Sequence, residues 1–289
     1  MKNIEWHDSF FLSALSNTDD IKKKSDIFIN MLWNFYEQYR RSFIWRENIT
    51  PYHVFISEVM LQQTQVGRVE QKFNTFIKTF PTIQLLATAS LHEVLAAWSG
   101  LGYNRRGRFL WQAAQTILYE YQGNVPQEPD RLVLLPGIGK NTAGSIVAFA
   151  YNKPTIFLET NIRAVLIHYF FAHRDKVDDK ELLPLLAELV DQKRPRDFYY
   201  AMMDLGVWIK KNYKNPTQKS RSYTKQSPFE GSVRQVRGAI LRTILAKKNI
   251  SQQELFKTLT YEQELFDQAI TELTKEKLIV SDNLLLSIP

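Results

Sequence analysis

Apolar residues recur at intervals of three and four along most of this 289-residue chain, which is the spacing of helices that pack through one face. Alternation typical of strands is scarce, and proline or glycine separates the helical stretches. The predicted helical stretches are 27–39, 51–80 (with breaks), 91–98, 108–121, 142–149, 161–171, 181–189 and 198–209. The pattern predicts an all-α fold class, and the length is sufficient for two or three domains.

A polar and basic segment, 212–232, interrupts the helical pattern and carries two prolines and a glycine. It is predicted to be a linker after a main helical domain over residues 1–211. Residues 233–289 show a short apolar hairpin and a capping box formed by Ser251 and Glu254. The hairpin is preceded by helical patterns over 233–246, 252–259 and 261–276. This order predicts a small C-terminal winged-helix-like domain, and the alternative is a packing or dimerisation module.

The formal net charge of the chain is +7, and the positive charge is concentrated between residues 210 and 248. Eleven lysines and arginines in this segment are accompanied by a single acidic residue, Glu230. Because a solvated surface usually mixes both signs, the segment predicts contacts with phosphates and favours a polyanionic partner.

The chain has no cysteine, which excludes disulfides, thiolate zinc sites and iron–sulfur clusters. Its five histidines lack metal-ligand spacing, so no metal site built from side chains is predicted. No apolar run approaches the roughly 20 residues of a membrane span. The N-terminal residues lack the apolar core of a signal peptide. These observations predict a cytoplasmic protein with no membrane partner.

Residues 134–144, LLPGIGKNTAG, predict a glycine hairpin that leads directly into a helix. Gly137 and Gly139 permit a tight turn and a close approach of the backbone to a ligand. The exposed N–H groups at the start of the helix form a ready site for a phosphate, and Lys140 adds a positive charge. A nucleic-acid backbone is therefore one predicted occupant, and an ordinary turn between two helices is the alternative.

Two glutamates occupy different predicted environments. Glu58 lies among apolar neighbours, where burial would raise its pKa and suit it to act as a general acid, whereas the alternative is a surface charge. Helical spacing would place Gln62 on the same face as Glu58 and Gln63 one position round. Glu159 precedes a helix that Thr160 or Asn161 could cap, and the helix dipole there favours an ionised carboxylate, or Glu159 could serve only as a cap.

A protonated and an ionised carboxyl group are the pair required to break a glycosidic bond through a cationic sugar. Combined with a phosphate-binding hairpin, the pair indicates a deoxyribose in DNA. The target base would have to leave the base stack, which requires a residue that wedges into the duplex.

Several stretches resemble the helix–hairpin–helix DNA glycosylases, and within them the MutY-type adenine DNA glycosylases. The resemblance covers roughly residues 27–209. It rests on EVMLQQTQV (58–66), GLGY (100–103), LPGIGKNTAG (135–144) and AMMDLG (201–206), together with Tyr52, Trp45, Arg46 and Trp98. It implies a two-lobed helical fold in which the N-terminal helices return to the second lobe.

The resemblance also implies residue roles. Glu58 would protonate the departing base, Gln62 and Gln63 would fill the gap that it leaves, and Tyr103 would stack into the duplex. Trp45 and Arg46 would lie near the base pocket. Contacts to the DNA backbone would involve Gly137, Gly139, Lys140, Thr142 and Asn161. Asn161 would also position the active-site strand. An alkali cation would be bound by carbonyls of the hairpin.

The chain departs from this family at several positions. Glu159 stands where the family has an aspartate, and Asn141 stands where endonuclease III carries its Schiff-base lysine, so no strand-cleaving step is expected. Tyr199 and Tyr200 would reshape the base pocket. In the resembling family, a loop at this place holds an iron–sulfur cluster. Here basic residues stand in its place and would contact DNA instead: Lys210, Lys211, Lys214, Lys219 and Arg221. The usual C-terminal domain that reads oxidised guanine is also replaced.

The resulting prediction is a monomeric, cluster-free base-excision DNA glycosylase that hydrolyses the bond to a mispaired base in double-stranded DNA, with adenine as the first candidate. One alternative is a glycosylase for mismatched uracil or thymine or for a damaged pyrimidine. The other is a catalytically inactive protein that binds DNA lesions or mismatches.

Overall fold

The computed structural model describes residues 6–18 and 20–289, which fold mainly into helices. In chain order the helices are α1 (Ser9–Ser16), α2 (Ile21–Tyr39), α3 (Ile44–Glu47), α4 (Pro51–Leu61), α5 (Val66–Thr79), α6 (Ile83–Thr88), α7 (Leu91–Trp98), α8 (Arg105–Glu120), α9 (Pro129–Leu132), α10 (Lys140–Tyr151), α11 (Thr160–Phe170), α12 (Asp179–Leu189), α13 (Pro195–Asn212), α14 (Val233–Lys247), α15 (Gln252–Leu259) and α16 (Gln263–Lys275). The strands are β1 (Ile250–Ser251), β2 (Val280–Asp282) and β3 (Leu285–Ser287). The predicted all-α fold class is confirmed.

One compact unit comprises the described residues up to Glu47 together with Lys140–Lys225. Within it α13 packs against both α2 and α11. The approach of α11 to α13 is so close that a Cβ at Gly206 would lie 2.3 Å from the Asn161 carbonyl oxygen. Only glycine fits at this crossing, which accounts for the last residue of the AMMDLG motif.

The second compact unit comprises Asn48–Gly139 and Gln226–Pro289. Its C-terminal part has the predicted order of three helices and a hairpin, and β3 lies between β1 and β2 in an antiparallel sheet. Val236 and Phe266 belong to a core that also contains Leu91 and Leu95 of α7. Residues 233–289 are thus packed onto α7, and their role as a separate functional domain stays a prediction.

The cap of α15 differs from the predicted capping box. Ser251 accepts a hydrogen bond from the Glu254 backbone N–H, as expected, at 3.2 Å. The Glu254 side chain, however, pairs with Lys247 at 2.6 Å. The attraction of a nearby ammonium group turns the carboxylate toward α14.

The predicted linker, 212–232, is partly packed rather than extended throughout. A 3₁₀ turn covers Pro216–Lys219, and Thr217 and Ser220 are buried. Ser220 also forms a parallel bridge with Val177. Residues 212–225 belong to one compact unit and residues 226–232 to another. The polar composition of the segment gave no sign of this packing.

Across residues 6–18 and 20–289, none of the helices combines the length and the apolar character needed to cross a membrane.

Candidate active site and nucleic-acid interface

Glu58 is carried by a helix that is buried almost all round. Helix α4 begins with Pro51 and is capped by Thr50, whose hydroxyl accepts a hydrogen bond from the His53 N–H at 3.1 Å. Every residue from 54 to 60 is buried, and Glu58 is only 9% exposed. The interpretation of Glu58 as a surface charge is therefore wrong. A carboxyl group buried among apolar side chains is a common arrangement for a general acid.

The two glutamines after Glu58 do not continue the helix, contrary to the spacing predicted for them. Helix α4 ends at Leu61, Gln62 is its C-cap, and Gln63 has a left-handed φ of 53°. Gln62 instead reaches the glycine hairpin, where its Nε2 donates a hydrogen bond to the Gly137 carbonyl at 3.2 Å. The spacing of apolar residues could not reveal this break, because it does not report the backbone conformation of a polar residue such as Gln63.

The hairpin has the predicted conformation. Gly137 has a φ of 78°, and a Cβ there would lie 2.8 Å from Cβ of Phe109, so both backbone and packing require glycine. Nothing lies within 4 Å of a Cβ built at Gly139. Helix α10 begins at Lys140, and Leu134, Gly139 and Lys140 are all exposed. The turn therefore presents a helix start and a bare backbone to solvent.

Two of the hairpin carbonyls already accept hydrogen bonds within the protein. The Gly137 carbonyl accepts from Gln62 and the Leu135 carbonyl accepts from the Ile138 N–H, at 3.2 and 3.1 Å. Each oxygen retains a second lone pair. A cation at these carbonyls stays an expectation.

A second loop, 99–104, carries the predicted wedge residue. Gly100, Gly102 and Tyr103 have positive φ values of 96°, 72° and 46°. Trp98 Nε1 donates a hydrogen bond to the Gly102 carbonyl at 3.1 Å, which holds the loop against the helix before it. A non-glycine residue in this conformation is strained, and such strain often marks a functional loop.

Arg106 is a positioning residue that the sequence analysis missed. Its guanidinium donates to the Val59 and Met60 carbonyls at 2.9 and 3.0 Å and to the Gly102 carbonyl at 3.2 Å. Burial lowers the pKa of Arg106 to about 10. The side chain ties the end of α4 to the 99–104 loop. No local signal identified it, because its partners are 46 and 47 residues away.

Glu159 is itself the N-cap of α11, so the prediction that Thr160 or Asn161 caps this helix is wrong. The preceding residue is fixed by Asn141, whose side chain donates to the Leu158 carbonyl and accepts from the Leu158 N–H, both at 3.1 Å. Asn141 is therefore a positioning residue for the strand-like segment before Glu159.

The electrostatic environment of Glu159 also differs from the prediction. Burial raises the pKa of Glu159, and the positive charge of Arg163 offsets only part of that effect. Arg163 is already engaged with Asp179 through two hydrogen bonds of 2.9 and 2.8 Å. A carboxyl group with a raised pKa accepts a proton more readily than an ordinary glutamate.

Arg46 and Tyr200, both predicted near the base pocket, lie together. The Arg46 guanidinium donates to both carboxylate oxygens of Asp204 at 2.9 and 3.0 Å and lies 4.2 Å from the centre of the Tyr200 ring. Trp45 is buried and stacks on Phe43 at 5.0 Å. Asp204 is 2% exposed and also accepts from Arg41, which makes it the anchor of this cluster.

Tyr199 and Asn161 have internal roles. Tyr199 is fully buried, packs on Phe157 at 4.1 Å and donates to the Thr155 carbonyl at 2.6 Å, so it is a core residue rather than a pocket wall. Asn161 Oδ1 is buried without a hydrogen-bond partner among the described residues, and its Nδ2 faces Met203 Sδ at 3.8 Å. This placement supports a positioning role for the Asn161 side chain over a direct phosphate contact.

The basic residues predicted to contact DNA lie in the last turn of α13 and after it, and they differ in their surroundings. Lys219 donates to the Ala172 carbonyl at 2.5 Å, and Arg221 lies 3.9 Å from Asp178. Burial lowers the pKa of Lys210, with a further contribution from Arg41. Lys211 and Lys214 are exposed. These two are the residues of the group that are best placed to meet a phosphate.

The structure brings several predicted residues together within the unit formed by Asn48–Gly139 and Gln226–Pro289. Gln62, Gln63, Tyr103 and Gly137 line one cleft of about 1340 Å³. Thr142 is half-buried on α10, in the other unit. Within that unit, Glu159 is adjacent to the segment held by Asn141, and Arg46 contacts Tyr200.

Known proteins resemble this chain in sequence and in fold. Residues 56–192, which include Glu58, the hairpin and Glu159, match the family model of HhH-GPD superfamily base excision DNA repair proteins. An adenine DNA glycosylase of Buchnera aphidicola subsp. Baizongia pistaciae is 35% identical over 188 residues, 63% of this chain and 53% of that protein. One from Rattus norvegicus is 38% identical over 190 residues, 62% of this chain and 37% of that protein.

An adenine DNA glycosylase of Mycobacterium tuberculosis is 30% identical over 237 residues, 73% of this chain and 76% of that protein. This chain spans about half, or less, of the length of the first two relatives. A thermostable thymine-DNA glycosylase has a similar structure, with a TM-score of 0.61 and 26% identity over 70% of this chain and 94% of that one. The chain belongs to the HhH-GPD superfamily of base excision DNA repair proteins.

Proposed function

We propose that this protein is a monofunctional DNA glycosylase that removes a mispaired base, adenine first among the candidates, from double-stranded DNA. The observation that carries the proposal is the burial of Glu58 on α4, four residues before a glutamine that reaches the glycine hairpin. Adenine is favoured because the relatives of 35% and 38% identity are adenine DNA glycosylases.

In the proposed reaction Glu58 acts as general acid. It donates its proton to the base as the C1′–N bond breaks, and the electrons of that bond leave with the base. The sugar becomes cationic, and ionised Glu159 stabilises it. A water molecule then bonds to C1′ and loses a proton to Glu159, whose raised pKa suits this acceptance. The products are the free base and an abasic site.

The same residues argue against a strand-cleaving step. A Schiff base needs a primary amine, and Asn141 offers an amide that is already bonded to Leu158. Lys140 has an amine but is exposed at the start of α10. We therefore propose hydrolysis alone.

The proposed DNA contacts come from two surfaces. The hairpin offers Gly137, Gly139 and the start of α10 to a phosphate, with Lys140 beside them. Lys211 and Lys214 add positive charge in the unit that also contains α10. A monomer acting on chromosomal DNA in the cytoplasm is part of the same proposal.

A second substrate class has specific support. The thermostable thymine-DNA glycosylase shares the fold at 26% identity, and the similarity covers 94% of that protein. A thymine or uracil mispaired with guanine is therefore the second candidate substrate, with the same roles for Glu58 and Glu159.

The test is a panel of duplexes that contain A opposite 8-oxoguanine, A:G, A:C, U:G or T:G, with alkali treatment to reveal abasic sites. Release of adenine supports the proposal. Release of pyrimidines alone would support the same mechanism with mispaired thymine or uracil as the substrate. Tight binding without release from any duplex indicates an inactive mismatch-binding protein and contradicts the proposed activity.

A further inference from the structure

The cleft of about 1340 Å³ has one wall that belongs to the C-terminal segment. Its first wall is formed by the 99–104 loop and the start of α8. Its second wall is formed by α14 and includes Arg234, Gly238 and Arg242. Both walls lie within one compact unit. The C-terminal segment therefore completes a cleft that already contains Gln62 and Tyr103.

The two walls are joined at the Tyr103 hydroxyl. Arg234 Nη1 donates a hydrogen bond to it at 3.0 Å, and Gln226 Nε2 also donates to it. The guanidinium groups of Arg106 and Arg234 lie 5.5 and 5.7 Å from the centre of the Tyr103 ring. Positive charge beside an aromatic ring is a combination found on surfaces that bind nucleic-acid strands.

The cleft is strongly positive. Six arginines line it against two glutamates, and Arg237 pairs with both of these, Glu272 at 2.7 Å and Glu276 in a shorter contact. Among the residues that the structure describes, no carboxylate lies within ion-pair distance of Arg68, Arg105 or Arg242. Uncompensated guanidinium groups in a cleft attract a polyanion.

Gly238 adds an independent indication of a ligand. A glycine weakens the interior of a helix, and the protein's own packing does not require one here. Among the described residues, and leaving aside the backbone of α14 itself, the one atom within 4 Å of a Cβ built at Gly238 is Nη1 of Arg242, at an ordinary 3.4 Å. A glycine without an internal reason, on the wall of a cleft, is typical of a place where a ligand approaches the backbone closely.

We propose that α14 forms the second wall of a DNA-binding cleft, in which Arg234 and Arg242 contact the phosphates of a strand that passes the Tyr103 loop. The inference rests on the proposed function, and it assigns DNA binding to a face of α14 rather than to the outer surfaces of α15 and α16. DNA binding here would explain why the C-terminal segment is joined to Tyr103.

The test compares two charge-matched double variants in fluorescence anisotropy titrations of a labelled A:G duplex over a salt series. Arg234→Gln/Arg242→Gln removes two cleft charges. Lys257→Gln/Lys275→Gln removes two exposed charges from α15 and α16, outside the cleft. Loss of two phosphate contacts should lower the slope of log affinity against log salt by about 2 and weaken binding about tenfold or more. The control should leave both unchanged.

Gly238→Gln tests the same cleft by filling it without a change in charge. We expect affinity to fall about tenfold with the salt slope retained, while the melting temperature shows that the variant is folded. Wild-type binding with no effect of either cleft variant would overturn the inference and leave the proposed function intact. An effect of the lysine variant alone would indicate that DNA binds the outer surface of α15 and α16, and it would also overturn the inference. Absence of duplex binding by the wild type would contradict both.

Discussion

Glu159 shows how one residue can have the predicted position and a different electrostatic state. Its place at the start of α11 favours ionisation through the helix dipole. Burial outweighs that effect and raises its pKa. The additional methylene relative to the aspartate of the resembling family moves the carboxyl group by about 1.5 Å. The reciprocal hydrogen bonds between Asn141 and Leu158 fix the backbone from which this longer side chain extends.

We predict that base release declines on the acid side as pH falls through the raised pKa of Glu159, because the reaction requires its ionised form. Arg163→Gln removes a nearby positive charge that favours ionisation. The pKa should rise further, and the decline should begin at higher pH. Arg174→Gln, which loses only an exposed pair with Glu181, is the control. Single-turnover rates over a pH series provide the measurement, and an acid limb unmoved by Arg163→Gln would refute the assignment.

At the scale of elements, helices were predictable, and their ends were predictable only in part. The apolar spacing gave α7 over 91–98 and α15 over 252–259 with the bounds that the structure has. It failed after Leu61, where Gln63 turns left-handed and the chain leaves α4. A three-and-four pattern records only which face is buried, so it has no information about a turn made by polar residues.

The hairpin offers a matched pair of substitutions. Gly137→Ala should destabilise the fold by roughly 1–3 kcal/mol, because alanine is strained at positive φ and its Cβ would collide with Phe109. It should also weaken duplex binding. Gly139→Ala should leave the free energy of unfolding nearly unchanged, since its Cβ would meet nothing within 4 Å. Urea denaturation measures both, and equal stability of the two variants would contradict the described hairpin.

At the scale of the whole molecule, buried ionic clusters connect residues that are distant in sequence. Asp8 accepts hydrogen bonds from His168 at 3.1 Å and Tyr169 at 2.9 Å, and also from Tyr213. Asp204 bonds Arg41 across 163 residues. The AMMDLG motif contains Asp204, but the motif itself gives no sign of the partners of this aspartate. Local patterns do not encode pairings over such separations, whereas motifs such as the hairpin carry their geometry within a few residues.

We predict that Asp8→Asn destabilises the unit that contains α1 by about 1–3 kcal/mol at neutral pH. Burial opposes ionisation of Asp8, but hydrogen bonds from His168, Tyr213 and Tyr169 outweigh it and lower its pKa. The stabilisation is therefore complete above the pKa of an unfolded aspartate, about 3.9, and is lost as pH falls through the lower folded value. Urea unfolding at neutral and acid pH tests this, with exposed Asp26→Asn as control. A constant difference across pH would contradict the prediction.

The central claim is that Glu58 supplies the proton to the departing base. The most direct measurement is the single-turnover rate of base release by Glu58→Gln on the duplex that the wild type processes best, with duplex affinity measured in parallel. Glu70→Gln, an exposed glutamate on α5, is the control. We predict a fall of roughly 10²–10⁴-fold in rate for Glu58→Gln alone, with affinity retained. A Glu58→Gln variant that releases the base as fast as Glu70→Gln would contradict the account.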